Sequence, residues 1–70
     1  MGGRVDDHPL SRRQREVLAL LDEGLGVDAI ATRLGLERTT VRNHVSAVLH
    51  RLDCHSQLQA VAAARRQGIL

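Results

Sequence analysis

The segment that most constrains the fold is RTTVRNHVSAVLHRL, residues 38–52. Its apolar residues recur at i, i+4, i+7, i+8 and i+11, the spacing that places side chains on one side of an α-helix. They are Val41, Val45, Val48, Leu49 and Leu52. The opposite side, at about 100° per residue, consists of Thr39, Asn43, Ser46 and His50, flanked by Arg42 and Ala47. The segment therefore predicts an amphipathic helix whose apolar side packs into a core.

The polar side of this helix contains no acidic residue. The charged residues of the segment are Arg38, Arg42 and Arg51, and no carboxylate balances them. A solvated helix face usually carries both signs of charge, whereas a positive face of small polar residues suits a polyanion with hydrogen-bonding edges. The DNA major groove has both properties. An ordinary surface helix that lacks acidic residues would have the same composition, and the segment alone does not separate the two interpretations.

The 70-residue length predicts one small domain. Because Phe, Tyr and Trp are absent, Leu, Val, Ile and Ala must fill the core. We expect modest stability, to which burial at a homodimer interface would add. The net charge is +2, but residues 38–52 carry +3 and residues 1–37 carry −2. The basic charge is therefore local, and we expect the anionic partner to bind locally as well.

Cysteine content and hydropathy bear on the compartment. Cys54 is the only cysteine, so the chain has no internal disulfide, in agreement with a reducing cytosol. No apolar run approaches the length of a membrane span, and Met1–Leu10 lacks the hydrophobic stretch of a signal peptide. We therefore expect a cytoplasmic protein that has no membrane partner; the DNA-binding interpretation adds that it is nucleoid-associated.

Capping residues and glycines divide the first half of the chain into helices. Ser11 and Gln14 have the spacing of a capping box and predict the start of a first helix, which Gly24 ends. A short second helix is predicted over Val27–Leu34, with Gly35 after it. Only two residues then separate it from the helix of residues 38–52. Two helices joined by so short a turn predict a helix-turn-helix.

Ser56 and Gln59 predict a second capping box and a fourth helix that runs to about residue 67. This helix has two apolar stripes: Ala60, Val61 and Ala64 form one, and Leu58 and Ala62 form the other. A monomer needs only one stripe, so the second either contacts a symmetry mate or is alanine on an exposed surface. The predicted fold is all-α, a four-helix bundle with a central helix-turn-helix at residues 10–70. Residues 1–9 are predicted to be a flexible linker or N-terminal tail.

One set of short motifs runs through the chain from Leu10 to Leu70. The motifs are, in order, Leu10-Ser11, Arg15-Glu16-Val17-Leu18, Gly24-Leu25, Ile30-Ala31, Leu34-Gly35, Thr40-Val41-Arg42, His44-Val45, Leu49, Leu52, Gln59-Ala60-Val61 and Gly68. With these motifs in this order, the chain resembles the DNA-binding domain of LuxR-type bacterial transcription regulators. The resemblance implies sequence-specific binding of double-stranded DNA in transcription regulation, as in the output domain of a response regulator. It also implies that the third helix enters the major groove and that the fourth helix mediates a homodimer. No cofactor or small-molecule ligand is implied.

The resemblance also assigns residues. The base-reading positions are Arg42, Asn43 and Ser46; an arginine can grip guanine O6 and N7, and an asparagine can bind adenine N6 and N7. The expected phosphate contacts are Arg38, Thr39, Thr40, His50 and Arg51, assisted by N–H groups at the start of the third helix. The expected dimerisation residues are Leu58, Ala62 and Arg65.

Several positions depart from the family pattern. The second helix usually begins Ser-Asn-Lys-Glu, and here it reads Gly26-Val27-Asp28-Ala29. Glu37 replaces a Ser or Thr cap, Gln57 replaces an Arg, and Asp53-Cys54 replaces Gly-Val. We therefore expect fewer phosphate contacts than is usual and a stronger dependence on dimerisation. The alternative function is a helix-turn-helix adaptor that docks on RNA polymerase or a sigma factor.

An enzymatic or metal site is not predicted. Four residues could suggest one: His44, His50, Cys54 and His55. A structural zinc site needs four converging ligands, whereas His44 and His50 point to different sides of one helix. No phosphate-binding loop or nucleophile motif is present. Glu16 is expected to pair with an arginine of the scaffold, such as Arg33 or Arg42.

Overall fold

The computed structural model describes residues 10–70 as four α-helices. They are α1 (Arg12–Asp22), α2 (Val27–Leu34), α3 (Arg38–Arg51) and α4 (Gln57–Arg66). Within this range there is no strand, so the predicted all-α architecture with a central helix-turn-helix is confirmed. The predicted tail, residues 1–9, lies outside the described residues, and the boundary after residue 9 stays a prediction.

The predicted capping box at the start of α1 is complete. The Ser11 hydroxyl accepts from the Gln14 backbone N–H at 3.1 Å, and the Gln14 side chain accepts from the Ser11 N–H at 2.9 Å. The end of α1 also agrees with the sequence, since Gly24 has a φ of 94° that side chains disfavour. Both ends of α1 therefore coincide with the local signals that the sequence provides.

The second predicted capping box forms only in part. The Ser56 hydroxyl accepts from the Gln59 N–H at 3.1 Å, as predicted for the start of α4. The Gln59 side chain accepts from the N–H of His55 at 2.7 Å, one residue before the cap. The reciprocal bond therefore restrains the loop that enters α4.

The core consists of two clusters that share α1 and α3. The first contains Val17, Leu20 and Leu21 of α1, Ile30 and Ala31 of α2, and Val41 and Val45 of α3. The second contains Leu10, Leu18 of α1, Val48 of α3, and Ala60 and Ala64 of α4. Helix α3 thus packs against all three other helices. Its predicted apolar side faces both clusters, which leaves its polar side on the surface.

The turn between α2 and α3 determines how α3 is presented. Gly35 has a left-handed φ of 67°, and the Leu36 N–H donates to the Ala31 carbonyl at 2.9 Å. The chain turns within residues 35–37, and α3 begins at Arg38 in contact with α2.

An ion pair joins the end of α1 to α4. Arg65 of α4 donates two hydrogen bonds, 2.9 and 2.6 Å long, to one oxygen of Asp22, the last residue of α1.

None of the helices within residues 10–70 combines the length and the hydropathy that a membrane crossing requires.

Candidate nucleic-acid interface

The candidate interface is centred on the exposed side of α3, here called the outer face. It consists of Thr39, Arg42, Asn43, Ser46 and His50, all of them exposed. Their spacing of i, i+3, i+4, i+7 and i+11 aligns them along one side of the helix. At about 1.5 Å per residue the outer face is about 16 Å long. The side chains behind it, Val41, Val45 and Val48, are buried, which fixes the rotation of α3 about its axis.

The three predicted base-reading residues lie together in the middle of the outer face. Arg42 and Ser46 are one turn apart, and Asn43 lies beside them on the same side. Between them they offer a guanidinium fork, an amide that both donates and accepts, and a hydroxyl. A base edge that approached this part of α3 would meet hydrogen-bonding groups and no carboxylate.

The predicted phosphate contacts lie along the outer face and its edges, and all are exposed. Thr39 and His50 lie near the two ends of the outer face. Thr40 and Arg51 lie about 100° to one side, and Arg38 lies on the other side at the start of α3. The N-cap residue Glu37 makes no side-chain bond to the first turn, so the N–H groups there have no side-chain cap. Such groups bind anions readily.

Arg38 makes an ion pair that the sequence analysis missed. Its Nε lies 2.6 Å from Oδ1 of Asp28, in the first turn of α2. Both side chains are exposed, so the pair spans the surface between the two helices of the helix-turn-helix. The signal available in the sequence was the opposite charge of two residues that each lie in the first turn of neighbouring helices.

Glu16 has a different partner from the one expected. Its carboxylate pairs with Arg13, one turn earlier in α1, with Nη1 2.9 Å from Oε1. The expected partners, Arg33 and Arg42, lie on α2 and α3. An i,i+3 pair within one helix forms without any tertiary contact, which explains why the nearer arginine is used.

The loop after α3 contains the remaining residues considered for chemistry. Asp53 has a φ of 56°, the one left-handed non-glycine residue within residues 10–70. Cys54 is half-buried against the second core cluster, and its thiol donates to the Leu52 carbonyl at 3.3 Å. In the described part of the chain, no three His, Cys, Asp or Glu side chains are grouped as a metal site requires.

The predicted dimerisation residues share one stripe of α4. Leu58 is 81% exposed, the largest exposure among the large apolar residues described. Ala62 and Arg65 follow it at i+4 and i+7, and both are exposed. The three line an open groove of about 550 Å³ whose other wall includes Leu21 and Leu25. Asp22 and Arg65, which also line the groove, form an ion pair, so the lining combines apolar side chains with one pair of opposite charges.

Comparisons with known proteins agree with this geometry. The family described as bacterial regulatory proteins, luxR family, matches residues 8–64. The transcriptional regulatory protein DesR of Bacillus subtilis (strain 168) is 33% identical over 61 residues, which are 87% of this chain and 31% of DesR. The spore germination protein GerE of the same organism is 38% identical over 61 residues, which are 87% of this chain and 82% of GerE.

A solved structure described as the transcription factor GerE has the same fold. It matches with a TM-score of 0.85 and 32% sequence identity, over 90% of this chain and 94% of that one. The chain spans about a third of DesR and most of GerE. The relatives therefore include both much longer regulators and one of similar length.

Proposed function

The chain belongs to the LuxR family of bacterial regulatory proteins, as the DNA-binding domain of a transcription regulator, and we propose that it binds double-stranded DNA sequence-specifically as a homodimer. This family is a class of regulators, not a class of enzymes. The observation that carries the proposal is the outer face of α3, which is exposed along its whole length and contains no carboxylate. In the proposed complex this face enters the major groove, whose width admits an α-helix.

The middle of the outer face contacts bases in this proposal. Arg42 donates two bonds to O6 and N7 of a guanine, and Asn43 pairs with N6 and N7 of an adenine. Ser46, one turn further, contacts either kind of base. The exposure of all three side chains supports the assignment, because none of them needs to leave the core to reach DNA.

The flanks of the outer face contact the DNA backbone. Thr39 and Thr40 bind a phosphate together with N–H groups of the first turn, and His50 and Arg51 bind phosphates near the other end of α3. Arg38 joins the first set once it leaves Asp28. These contacts set the position of α3 in the groove and are independent of base sequence.

The homodimer forms through α4 in this proposal. The 81% exposure of Leu58 and the apolar groove beside it support a second copy as the partner, since an exposed apolar patch on a small domain marks an interaction site. Two copies related by a twofold axis would place two α3 helices about one helical turn of DNA apart. The operator would then consist of two inverted half-sites.

Salt dependence tests whether phosphates are bound. Affinity for a mixed-sequence duplex is measured by fluorescence anisotropy over roughly 50 to 300 mM salt. Log K should fall linearly with log salt, with a slope of about −0.9 for each neutralised phosphate. Affinity that is independent of salt would contradict the proposal.

Selection of bound oligonucleotides from a random library tests sequence specificity and dimerisation together. We expect enrichment of an inverted repeat whose half-site centres are about 10 base pairs apart. Enrichment of a single half-site would contradict the homodimer, and no enrichment would contradict sequence-specific binding.

A second candidate function is an adaptor that docks on RNA polymerase or a sigma factor. The observation in its favour is that two carboxylates, Asp28 and Glu37, lie at the start of α3. In a DNA complex this part of the helix would face phosphates, which carboxylates repel. A gel-shift assay with fragmented genomic DNA separates the two functions. A retarded complex supports the DNA-binding proposal, and its absence together with capture of purified RNA polymerase supports the adaptor.

A further inference from the structure

Charge is distributed unevenly along the outer surface of α3. The middle and the far end contain Arg42 and Arg51, whereas the start contains Arg38 together with the carboxylates of Asp28 and Glu37. The formal charge at the start of α3 is therefore negative, although the first-turn N–H groups there would otherwise attract a phosphate. At the start of α3, the described chain therefore places its own carboxylates beside the arginine that is proposed to bind a phosphate.

Asp28 occupies the Nε edge of the Arg38 guanidinium, one of the edges that can bind a phosphate. Its Oδ1 lies 2.6 Å from Arg38 Nε, the distance of a direct contact between charged groups. A carboxylate and a phosphate present the same kind of oxygen to a guanidinium group. The two anions repel each other, so Arg38 binds a phosphate less favourably while Asp28 stays beside it.

The exposed ion pair between Arg38 and Asp28 can be broken by a competing phosphate. The Arg38 side chain is 63% exposed and the Asp28 side chain 76% exposed. Ion pairs this exposed contribute little to stability, because water and salt screen them. A DNA phosphate, reinforced by the other backbone contacts, can therefore displace Asp28 at a small but measurable cost in affinity.

We propose that Asp28 is an internal competitor for Arg38 that weakens the sequence-independent part of DNA binding. The inference rests on the proposed function, since it concerns the same surface. Asp28 reduces the number of phosphates neutralised at the start of α3 and leaves the base contacts of Arg42 and Asn43 unchanged. Affinity then depends more on the correct base sequence and on dimerisation than on general attraction to DNA.

The test uses Asp28→Asn, which removes the charge and keeps the side-chain size. Binding of the chain to a mixed-sequence 20-base-pair duplex is measured by anisotropy as a function of salt. We expect Asp28→Asn to bind about 3- to 8-fold more tightly per copy at 0.1 M salt, with a slope steeper by about 0.9, which corresponds to one more neutralised phosphate. Affinity that is unchanged or lower would overturn the proposal.

Two further variants separate competition for Arg38 from a general effect of charge. Glu23→Gln makes the same change in net charge at the end of α1, and it should alter affinity less than about 2-fold, since exposed charges at a distance are screened. In an Arg38→Ala background, Asp28→Asn should likewise have less than about a 2-fold effect, because the competed side chain is gone. An equal gain with or without Arg38, or with Glu23→Gln, would overturn the proposal.

Failure of the competition between Asp28 and phosphate gives a different result from failure of DNA binding itself. If the unsubstituted chain shows no salt-dependent binding, DNA is the wrong ligand. If it binds DNA and Asp28→Asn gains nothing, DNA binding stands and the competition between Asp28 and the phosphate is refuted. Thermal unfolding of each variant, expected to match the unsubstituted chain within a few degrees, verifies that the helix-turn-helix is intact.

Discussion

Arg42 and Arg51 carry the same guanidinium group, but they lie in different parts of α3. Arg42 lies in the middle part of the outer face, beside Asn43 and Ser46. Arg51 is the last residue of α3 and lies to one side of the outer face. A guanidinium in the centre of a major groove meets base edges, and one at the end of the helix meets the sugar-phosphate backbone. The same residue type therefore has two proposed functions that mutation can separate.

Arg42→Ala should relax base preference at one position of the site and cost about 1–3 kcal/mol for the preferred sequence. Arg51→Ala should weaken binding to all sequences alike and reduce the salt slope by about 1. Both effects are measured by anisotropy on a selected site and on its single-base variants. If the two substitutions altered base preference in the same way, the division between base and phosphate contacts would be wrong.

Asp53 is strained in a way that glycine would relieve. Its φ of 56° is left-handed, which disfavours residues with a Cβ, although Asp tolerates it better than most. We expect the free energy of unfolding in urea to be highest with Gly at this position, lower with Asp and lowest with Ala. The Gly and Ala variants should differ by about 1 kcal/mol. Because Asp53 is exposed, no core contact changes. An Ala variant as stable as the Gly variant would refute the strain.

At the scale of single helices, the start of α3 lacks a side-chain cap. Helices α1, α3 and α4 each have an N-cap residue with a side chain, and that of α3 is the one that makes no capping hydrogen bond. Glu37 has the extended φ and ψ of an N-cap, −80° and 153°, but its side chain makes no bond to the first turn. Ser11 and Ser56 do make such bonds at the starts of α1 and α4. Stability at this end of α3 therefore rests on packing against α1 and α2.

Glu37→Ser should stabilise the domain by about 0.5–1 kcal/mol, because a serine hydroxyl can accept from the first-turn N–H groups. Glu37→Gln removes the same charge without supplying a short capping side chain, and it should leave the free energy of unfolding nearly unchanged. Both are compared by urea denaturation. Equal stabilisation by Ser and Gln would mean that loss of the carboxylate, rather than capping, is responsible.

The helices can be predicted from the sequence because the residues that begin and end them act on their immediate neighbours. Ser11 with Gln14, Gly24 and Gly35 act on the nearest residues, so no tertiary contact is needed to identify them. The pairing of Arg38 with Asp28 was not predictable in this way, since it depends on how α2 and α3 cross. The same holds for Arg65 and Asp22, which are 43 residues apart in sequence.

The candidate site was predictable to the extent that one helix contains it. Once Val41, Val45 and Val48 are assigned to the core, the position of Arg42, Asn43 and Ser46 on the surface follows from the helical repeat. The partners of exposed charges do not follow from that repeat. This explains why the exposure of the outer face follows from the sequence, whereas the arginine that pairs with Glu16 does not.

At the scale of the whole molecule, the exposed stripe of α4 is what a homodimer would cover. Leu58→Glu should leave the monomer folded, because the Leu58 side chain contributes little to the core at 81% exposure. It should abolish dimerisation, measured by sedimentation equilibrium, and weaken binding to a two-half-site operator by about 10- to 100-fold through lost avidity. A Leu58→Glu variant that still dimerises would place the interface elsewhere.

Gln67→Glu is the matched control for added charge on α4. Gln67 is the exposed C-cap residue, nine positions from Leu58 and therefore about 180° away around the helix axis. It should dimerise as the unsubstituted chain does. Loss of dimerisation in both variants would indicate a general effect of negative charge on α4.

The most direct test of the central claim is the DNA affinity of Ser46→Glu. Ser46 is exposed in the middle of the outer face, so the substitution adds one carboxylate there without disturbing the core. We predict that Ser46→Glu, with an unchanged melting temperature, loses at least about 100-fold in affinity for the selected site, while Gln67→Glu stays within about 3-fold. A Ser46→Glu chain that binds DNA as tightly as the unsubstituted chain would show that α3 does not enter the groove.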